Sequence, residues 1–255
     1  MRITILGCGG SGGVPFATGE WGTCDHTNPL NRRRRPSILI ESDGGTRILV
    51  DTGPDLREQA LLAGLQRVDA ILYTHAHADH VHGIDDVRAF NYHCDGAIDA
   101  WGSEATLAEI RQRFSYAFRT ERPRNAWARP QLRPRPIDGA FRVGDLEVQP
   151  FRQEHGRIES TGFRIGRFAY STDVSAFPDE ALSHLEALDI WIVGAVGRNP
   201  HPSHFSIVDA RAWIQRMAPA RAVLTHMSIS LDHSSLAHEL PVGIEPGFDG
   251  MVLET

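Results

Sequence analysis

The chain has 255 residues, 41% apolar and 23% charged, with a formal net charge of −6. That length buries a sizeable core, and an acidic balance of this kind gives no bulk attraction for nucleic acid or an anionic membrane. All 26 basic residues are arginine, so a Schiff-base or P-loop lysine mechanism is excluded.

Cys8, Cys24 and Cys94 are scattered, with no CxxC pair. An odd, dispersed set points to a reducing compartment without disulfides. The opening apolar run is too short for a signal peptide, and no run approaches the roughly 18 apolar residues of a membrane span. The expectation is a soluble cytoplasmic protein, not associated with membranes, folding as one domain over residues 1–255.

Residues 3–6 read as a strand that runs into Gly7-Cys8-Gly9-Gly10-Ser11-Gly12-Gly13. The spacing matches GxGxxG in form. Pro15, Gly19 and Gly22 follow, however, and no amphipathic helix opens. A glycine loop bordering an active-site floor therefore fits better than a dinucleotide site. Arg32, Arg33, Arg34 and Arg35 precede a hairpin of strands 37–41 and 47–50, which turns at Ser42-Asp43-Gly44-Gly45. Asp51, at the end of the second strand, reads either as a turn residue or as a carboxylate orienting a metal-bound histidine. Residues 55–65 have helical spacing, with Leu56, Ala60, Leu61 and Leu65 on one face.

Residues 68–74 read as a buried strand. It delivers His75-Ala76-His77-Ala78-Asp79-His80, which packs three imidazoles and a carboxylate into six residues. In a sharp turn His75 and His77 can grip one divalent ion, and Asp79 and His80 a second. Six residues cannot complete two coordination shells, so further ligands must come from elsewhere. Residues 85–90 look helical.

Residues 104–118 read as a helix, followed by a proline- and arginine-rich stretch to Pro136. There Arg111, Arg113, Arg119, Arg122, Arg124, Arg129, Arg133 and Arg135 interleave with Phe114, Tyr116, Phe118 and Trp127. Such mixing can hold phosphates and stacked bases, but a proline-stiffened surface excursion is the favoured reading. Strands return at 141–143 and 146–151, ahead of His155. A hairpin of strands 161–165 and 167–171 leads to Asp173. A helix at 179–187 and a strand at 189–193 come next. Ser203-His204-Phe205-Ser206 then caps a helix running to about Met217. A strand at 221–224 ends at Thr225-His226, and residues 250–253 form the last strand. Strands and helices recur in two halves with no linker between them. This predicts an α/β fold: two mixed sheets face to face with helices outside, a four-layer αββα sandwich.

His75, His77, Asp79, His80, His155, Asp173 and His226 all follow strands. Imidazole nitrogen and carboxylate oxygen both bind borderline divalent metals. Alone, His155 or His226 would be an ordinary core or surface histidine. The HxHxDH run changes that reading, because it leaves a pair of ions short of ligands.

With HxHxDH and its later His, Asp and His, the sequence resembles the metallo-β-lactamase superfamily over essentially its whole length. Within it, the likeness is to the phosphoribosyl cyclic phosphate phosphodiesterases of the carbon–phosphorus lyase pathway (PhnP-like). That likeness includes the glycine loop, the arginine run, Thr225-His226-Met227-Ser228, and Pro246-Gly247-Phe248-Asp249-Gly250-Met251. The resemblance implies a metal-dependent hydrolase holding two divalent metal ions. His75, His77 and His155 would bind one, Asp79, His80 and His226 the other, with Asp173 bridging. Five histidines and two aspartates without a thiolate admit zinc or manganese. His204 would contact the scissile phosphate or assist the leaving group. His82, His93 and His233 are candidate cleft-edge groups, with a structural or exposed role the favoured reading. A cysteine cluster holding a structural zinc in the relatives is reduced here to Cys24 within Trp21-Gly22-Thr23-Cys24-Asp25-His26, so order in that loop must come from packing.

The expected reaction is attack by metal-generated hydroxide on phosphorus, in line with the departing oxygen. Asp79 would accept or hold the hydroxide's proton. His204, near a helix N-terminus, would meet an anionic phosphoryl oxygen or protonate the leaving alkoxide. The expected substrate is a small cyclic phosphate or nucleotide-like phosphodiester, and the resemblance implies a homodimer. The alternatives are an RNA-processing nuclease of the same superfamily, a thioester or lactone hydrolase, and a non-catalytic metal-bearing binding module.

Overall fold

The computed structural model describes residues 1–94, 96–119 and 128–255. It contains two seven-stranded sheets. The first is built from β1 (Arg2–Gly7), β2 (Ser37–Glu41), β3 (Arg47–Val50), β4 (Ala70–Leu72), β5 (Ile98–Gly102), β6 (Leu132–Pro136) and β14 (Val252–Glu254), in the order β14-β1-β2-β3-β4-β5-β6. The second comprises β7 (Phe141–Val143), β8 (Leu146–His155), β9 (Ile158–Ile165), β10 (Phe168–Ser171), β11 (Ile190–Gly194), β12 (Arg221–Thr225) and β13 (Ile244–Pro246), in the order β13-β12-β11-β10-β9-β8-β7. Both sheets are mixed. Strands β3 to β6 run parallel in one, and β10 to β13 in the other. The remaining pairs are antiparallel.

Side-chain alternation decides which way each strand faces. Ile38 and Ile40 on β2, with Ile48 and Val50 on β3, join Ile3, Ile5 and Leu72 in the cluster between the sheets. There they meet Val148, Phe163, Phe168, Tyr170, Ile192 and Val223 from the second sheet. The intervening Leu39, Leu49, Ile71 and Tyr73 point the other way. They pack under helices with Leu56, Val81, Val87, Leu107 and Ile110. The helices are α1 (Leu56–Leu62), α2 (Ala78–Val81), α3 (Arg88–His93), α4 (Glu104–Arg113), α5 (Ile207–Met217) and α6 (His233–Glu239). The αββα sandwich expected from the sequence is the fold observed. No helix among the described residues is long and apolar enough to cross a membrane.

Several boundaries differ from the sequence reading. Leu61 does not share the buried face of α1; it is exposed, as is Leu62, because that face is set by Leu56 and Gln59 and Leu61 turns away from both. Residues 104–118 split into α4 and a 3₁₀ turn, Ser115–Phe118. The helix read at 179–187 is a 3₁₀ segment, Asp179–Leu185. Part of the stretch read as a surface excursion is β6, which pairs in parallel with β5 at the sheet edge. An edge strand tolerates Pro134 and Pro136, because an N–H missing on its open side leaves no partner unpaired. Arg122, Arg124 and Trp127 lie outside the described residues.

Candidate metal centre

The site lies along one rim of the sandwich, mostly at the carboxyl ends of parallel strands, where open α/β sheets commonly bind ligands. Asp51 follows β3, His75 follows β4, Asp173 follows β10 and His226 follows β12; His155 ends β8. Asp51, Asp173 and His226 have φ of 64°, 51° and 57°. Left-handed backbone is uncommon for residues bearing a Cβ and persists where the surroundings over-determine it. Three of the five such residues among the described residues converge on this rim.

Two groups form. His75, His77 and His155 offer ligand atoms within 4.8 Å of one another, as do Asp79, His80, Asp173 and His226. Asp173 links the groups. Its Oδ1 lies 3.2 Å from His226 Nε2 and 3.7 Å from His155 Nε2, and its Oδ2 lies 3.1 Å from His80 Nε2. Asp79 Oδ2 lies 3.3 Å from His80 Nε2 and 3.5 Å from His226 Nε2. All seven residues named from the sequence are therefore brought together. All but the exposed His77 are buried.

Tautomers follow from the hydrogen bonds on the far side of each ring. Carboxylates only accept, so His80 Nδ1–H donates to Asp51 Oδ2 at 2.7 Å and Nε2 is left bare. His155 Nδ1–H donates to the carbonyl of Ser203 at 2.6 Å, with the same result. Thr74 Oγ1–H donates to Asp51 Oδ2 (2.8 Å) and accepts from His75 Nδ1–H (3.0 Å). His77 is turned the other way and presents Nδ1, 3.3 Å from His155 Nε2. Asp51 thus holds His80 directly and His75 through Thr74. Close backbone approach fixes the loop above: a Cβ on Gly53 would stand 2.2 Å from the carbonyl of Asp79.

The donor set fits divalent metal. His75 Nε2, Asp79 Oδ2, His80 Nε2 and His226 Nε2 are buried without a hydrogen-bond partner, although such atoms are costly to strand. Asp51, Asp79 and Asp173 are buried carboxylates, and among the described residues no arginine pairs with them. Protons on histidine are the compensation left to the metal-free protein. Burial opposes charge on His226, but Asp173 and Asp79 outweigh it and lift its pKa to about 9. Burial would raise Asp79 and Asp173, yet the neighbouring imidazoles hold both below the usual carboxylate range. Desolvation pushes His75 and His155 down, which favours the neutral, ligating form.

His204 roofs the centre. Its ring stacks on His226 at 4.7 Å between centroids, lies 4.6 Å from His155, and brings Nδ1 to 3.7 Å from Asp173 Oδ1. Burial and the rings of His226, His155 and His201 depress its pKa to about 3, so it is neutral near pH 7. As the sequence reading expected, His204 lies just ahead of a helix: the N-cap of α5 is Ser206, two residues on. The N–H of Asp209 bonds to Ser206 Oγ, and that of Ile207 to the carbonyl of Gly197. Those two N–H groups are therefore already engaged within the protein. His201 was missed. It lies 5.0 Å from His204 ring to ring, three residues upstream in Pro200-His201-Pro202-Ser203-His204, and that spacing was the available signal.

The glycine loop borders the floor: Gly10 faces the ring of His226. Its glycines also admit the arginine run, since a Cβ on Gly7 would lie 2.1 Å from the carbonyl of Arg35. Near Cys24, no group of three metal-binding side chains forms among the described residues. Asn31 ties that loop instead. Its Nδ2 donates to Asp232 Oδ2 at 2.6 Å and to the carbonyl of Asp25 at 3.0 Å. Its Oδ1 accepts from the His233 N–H at 2.7 Å and from Arg33 at 3.2 Å.

Residues 46–227 match the family described as "Beta-lactamase superfamily domain". The chain belongs to the metallo-β-lactamase superfamily, whose members are metal-dependent hydrolases. Within it the chain is PhnP-like: the crystal structure of a diphosphatase from the PhnP family superposes with a TM-score of 0.91 at 34% identity, covering 100% of this chain and 97% of that one. An octanoyltransferase of Porphyromonas gingivalis is 37% identical over 98% of this chain. The chain spans 51% of that protein, about half its length. A ribonuclease Z of Bradyrhizobium is 48% identical over 58 residues, 22% of this chain and 19% of that protein.

Proposed function

We propose that the protein is a dinuclear metal-dependent phosphodiesterase acting on a small cyclic phosphate or nucleotide-like phosphodiester. The observation that carries this reading is His204, a half-buried imidazole stacked on His226, facing Asp173 and grouped with His155 and Asp173 at the mouth of the site. Its place suits an oxygen of a phosphoryl group lying across the two groups. His75, His77 and His155 would hold one ion, and Asp79, His80 and His226 the other, with Asp173 shared. Zinc or manganese suits the donors. When bound, such a pair supplies a nucleophile from water at neutral pH and neutralises charge on the phosphoryl oxygens.

The chain's own side chains do the rest. Neutral His204 donates an N–H to a phosphoryl oxygen and orients the ester, and its hydrogen bond strengthens as negative charge builds there. Asp79, whose carboxylate the neighbouring imidazoles keep ionised, can serve as a ligand and accept a hydrogen bond from the attacking water. Asp51 fixes the rings of His80 and His75. The similar structure from the PhnP family is described as a diphosphatase, which supports a phosphoryl substrate.

The test is hydrolysis of bis(p-nitrophenyl) phosphate and of a nucleoside cyclic phosphate by metal-loaded protein, against an octanoyl thioester. Phosphodiester cleavage with the thioester untouched is expected. Thioester turnover alone would move the assignment to acyl chemistry. A nuclease reading has the local match to ribonuclease Z behind it. It predicts RNA binding that weakens steeply with salt.

A further inference from the structure

Asp249 sits in the terminal Pro246-Gly247-Phe248-Asp249-Gly250-Met251 segment, which the catalytic reading leaves unused. Its carboxylate is almost fully buried and joins two other segments. Oδ1 accepts from the Cys8 N–H at 3.1 Å and from the Cys8 thiol at 3.5 Å. Oδ2 accepts from the Arg34 N–H at 2.7 Å and from the Arg34 guanidinium at 3.1 Å. The far side of Cys8 leads to the metal centre. The Cys8 carbonyl accepts from the Met227 N–H at 2.8 Å, and the Met227 carbonyl accepts from the Gly10 N–H at 3.0 Å. Both backbone groups of Met227 are thereby held by the glycine loop. Met227 directly follows His226, whose left-handed backbone at φ 57° must be held by its surroundings.

We infer that Asp249 is a positioning residue for His226. It acts through Cys8 and Met227 to hold the imidazole over the Asp79, His80 and Asp173 group. The inference rests on the assignment of His226 as a ligand in the reading above, but not on the substrate. Asp249→Asn tests it closely. One amide oxygen cannot serve both the Cys8 and the Arg34 N–H groups, and whichever way the amide turns, its NH₂ opposes a donor. Because two Arg34 donors meet Oδ2, the amide oxygen stays on that side and its NH₂ faces the Cys8 N–H, so the glycine loop loses that bond while side-chain volume is kept. Arg34→Met is the companion variant: it removes the guanidinium bond and leaves the Cys8 link intact.

The experiment is chelator-competed titration of metal-free protein with Co²⁺, followed by the visible absorption of each bound ion and by thermal melting. In Asp249→Asn the ion held by Asp79, His80 and His226 should bind about tenfold to a hundredfold more weakly, the range seen when groups supporting a ligand are lost. The ion held by His75, His77 and His155 should change by less than about twofold, and Arg34→Met should leave both sites near wild type. Equal affinities in Asp249→Asn and wild type would overturn the inference. So would parallel weakening of both ions in proportion to a lowered melting temperature, which marks general loosening. Wild type that binds two ions but cleaves no phosphodiester would defeat the functional reading alone.

Discussion

Asp51 accepts a 2.7 Å hydrogen bond from His80 Nδ1, and both side chains are fully buried. A second bond from Thr74, itself bonded to His75, lets the same carboxylate orient one histidine of each ligand group. Asp51→Asn would place an NH₂ or a weaker carbonyl against His80 and free the ring to flip. Metal affinity should fall about tenfold to a hundredfold at both positions. Competition with a zinc chelator measures this, and unchanged affinity would mean that the carboxylate only fills space.

Replacing His204 separates chemistry from metal binding. His204→Ala leaves all seven ligand-type residues in place, so ion content should match wild type. Turnover of phosphodiesters should fall about a hundredfold or more, the usual scale for a group that supports charge or proton movement in the transition state. Metal analysis and kcat on the same preparation check both halves.

The metal-free protein should have a distinctive pH dependence. The His226 pKa is raised to about 9 from an ordinary 6.5, chiefly by Asp173 against the opposing effect of burial. Because the folded value is the higher one, the stabilisation is fully present below pH 6.5 and is lost as pH rises through 9. It amounts to about 3 kcal/mol. Denaturant melts of stripped protein at pH 7.5 and pH 9.5, between which the depressed His75, His155 and His204 are neutral whether folded or unfolded, should show that fall. Protein loaded with zinc should show little of it, because metal replaces the proton between the carboxylates.

The tie around Asn31 should make the Cys24 loop independent of metal. Asn31→Ala strands the His233 N–H and loosens Asp232. The expected loss is about 2 kcal/mol of stability, with unchanged metal content. Zinc content by elemental analysis should be two ions per chain in both proteins. A third tightly held ion in wild type would contradict the hydrogen-bonded account of the loop.

Much of the site was legible in the sequence because its signal is chemical and local. HxHxDH needs no tertiary information, and Asp173 and His226 stand immediately beyond runs that read as strands. Asp51 was ambiguous because only the fold brings it, 29 positions away in the chain, against His80. His201 escaped because prolines on both sides mark a loop and say nothing of what that loop approaches. The αββα layering followed from strands and helices recurring in two halves with no linker between them. β6 was hidden because Leu132-Arg133-Pro134-Arg135-Pro136 breaks every rule for a central strand and is admissible only at an edge. The Asp249 link lay beyond reading for a different reason: its partners are 241 and 215 positions away.

The most direct measurement is phosphodiester hydrolysis during stepwise reconstitution of metal-free protein with zinc or manganese, alongside ion stoichiometry. The account predicts no cleavage by stripped protein and full activity only as the second equivalent binds. Full cleavage without metal, or two bound ions with no cleavage of any phosphodiester, would contradict it.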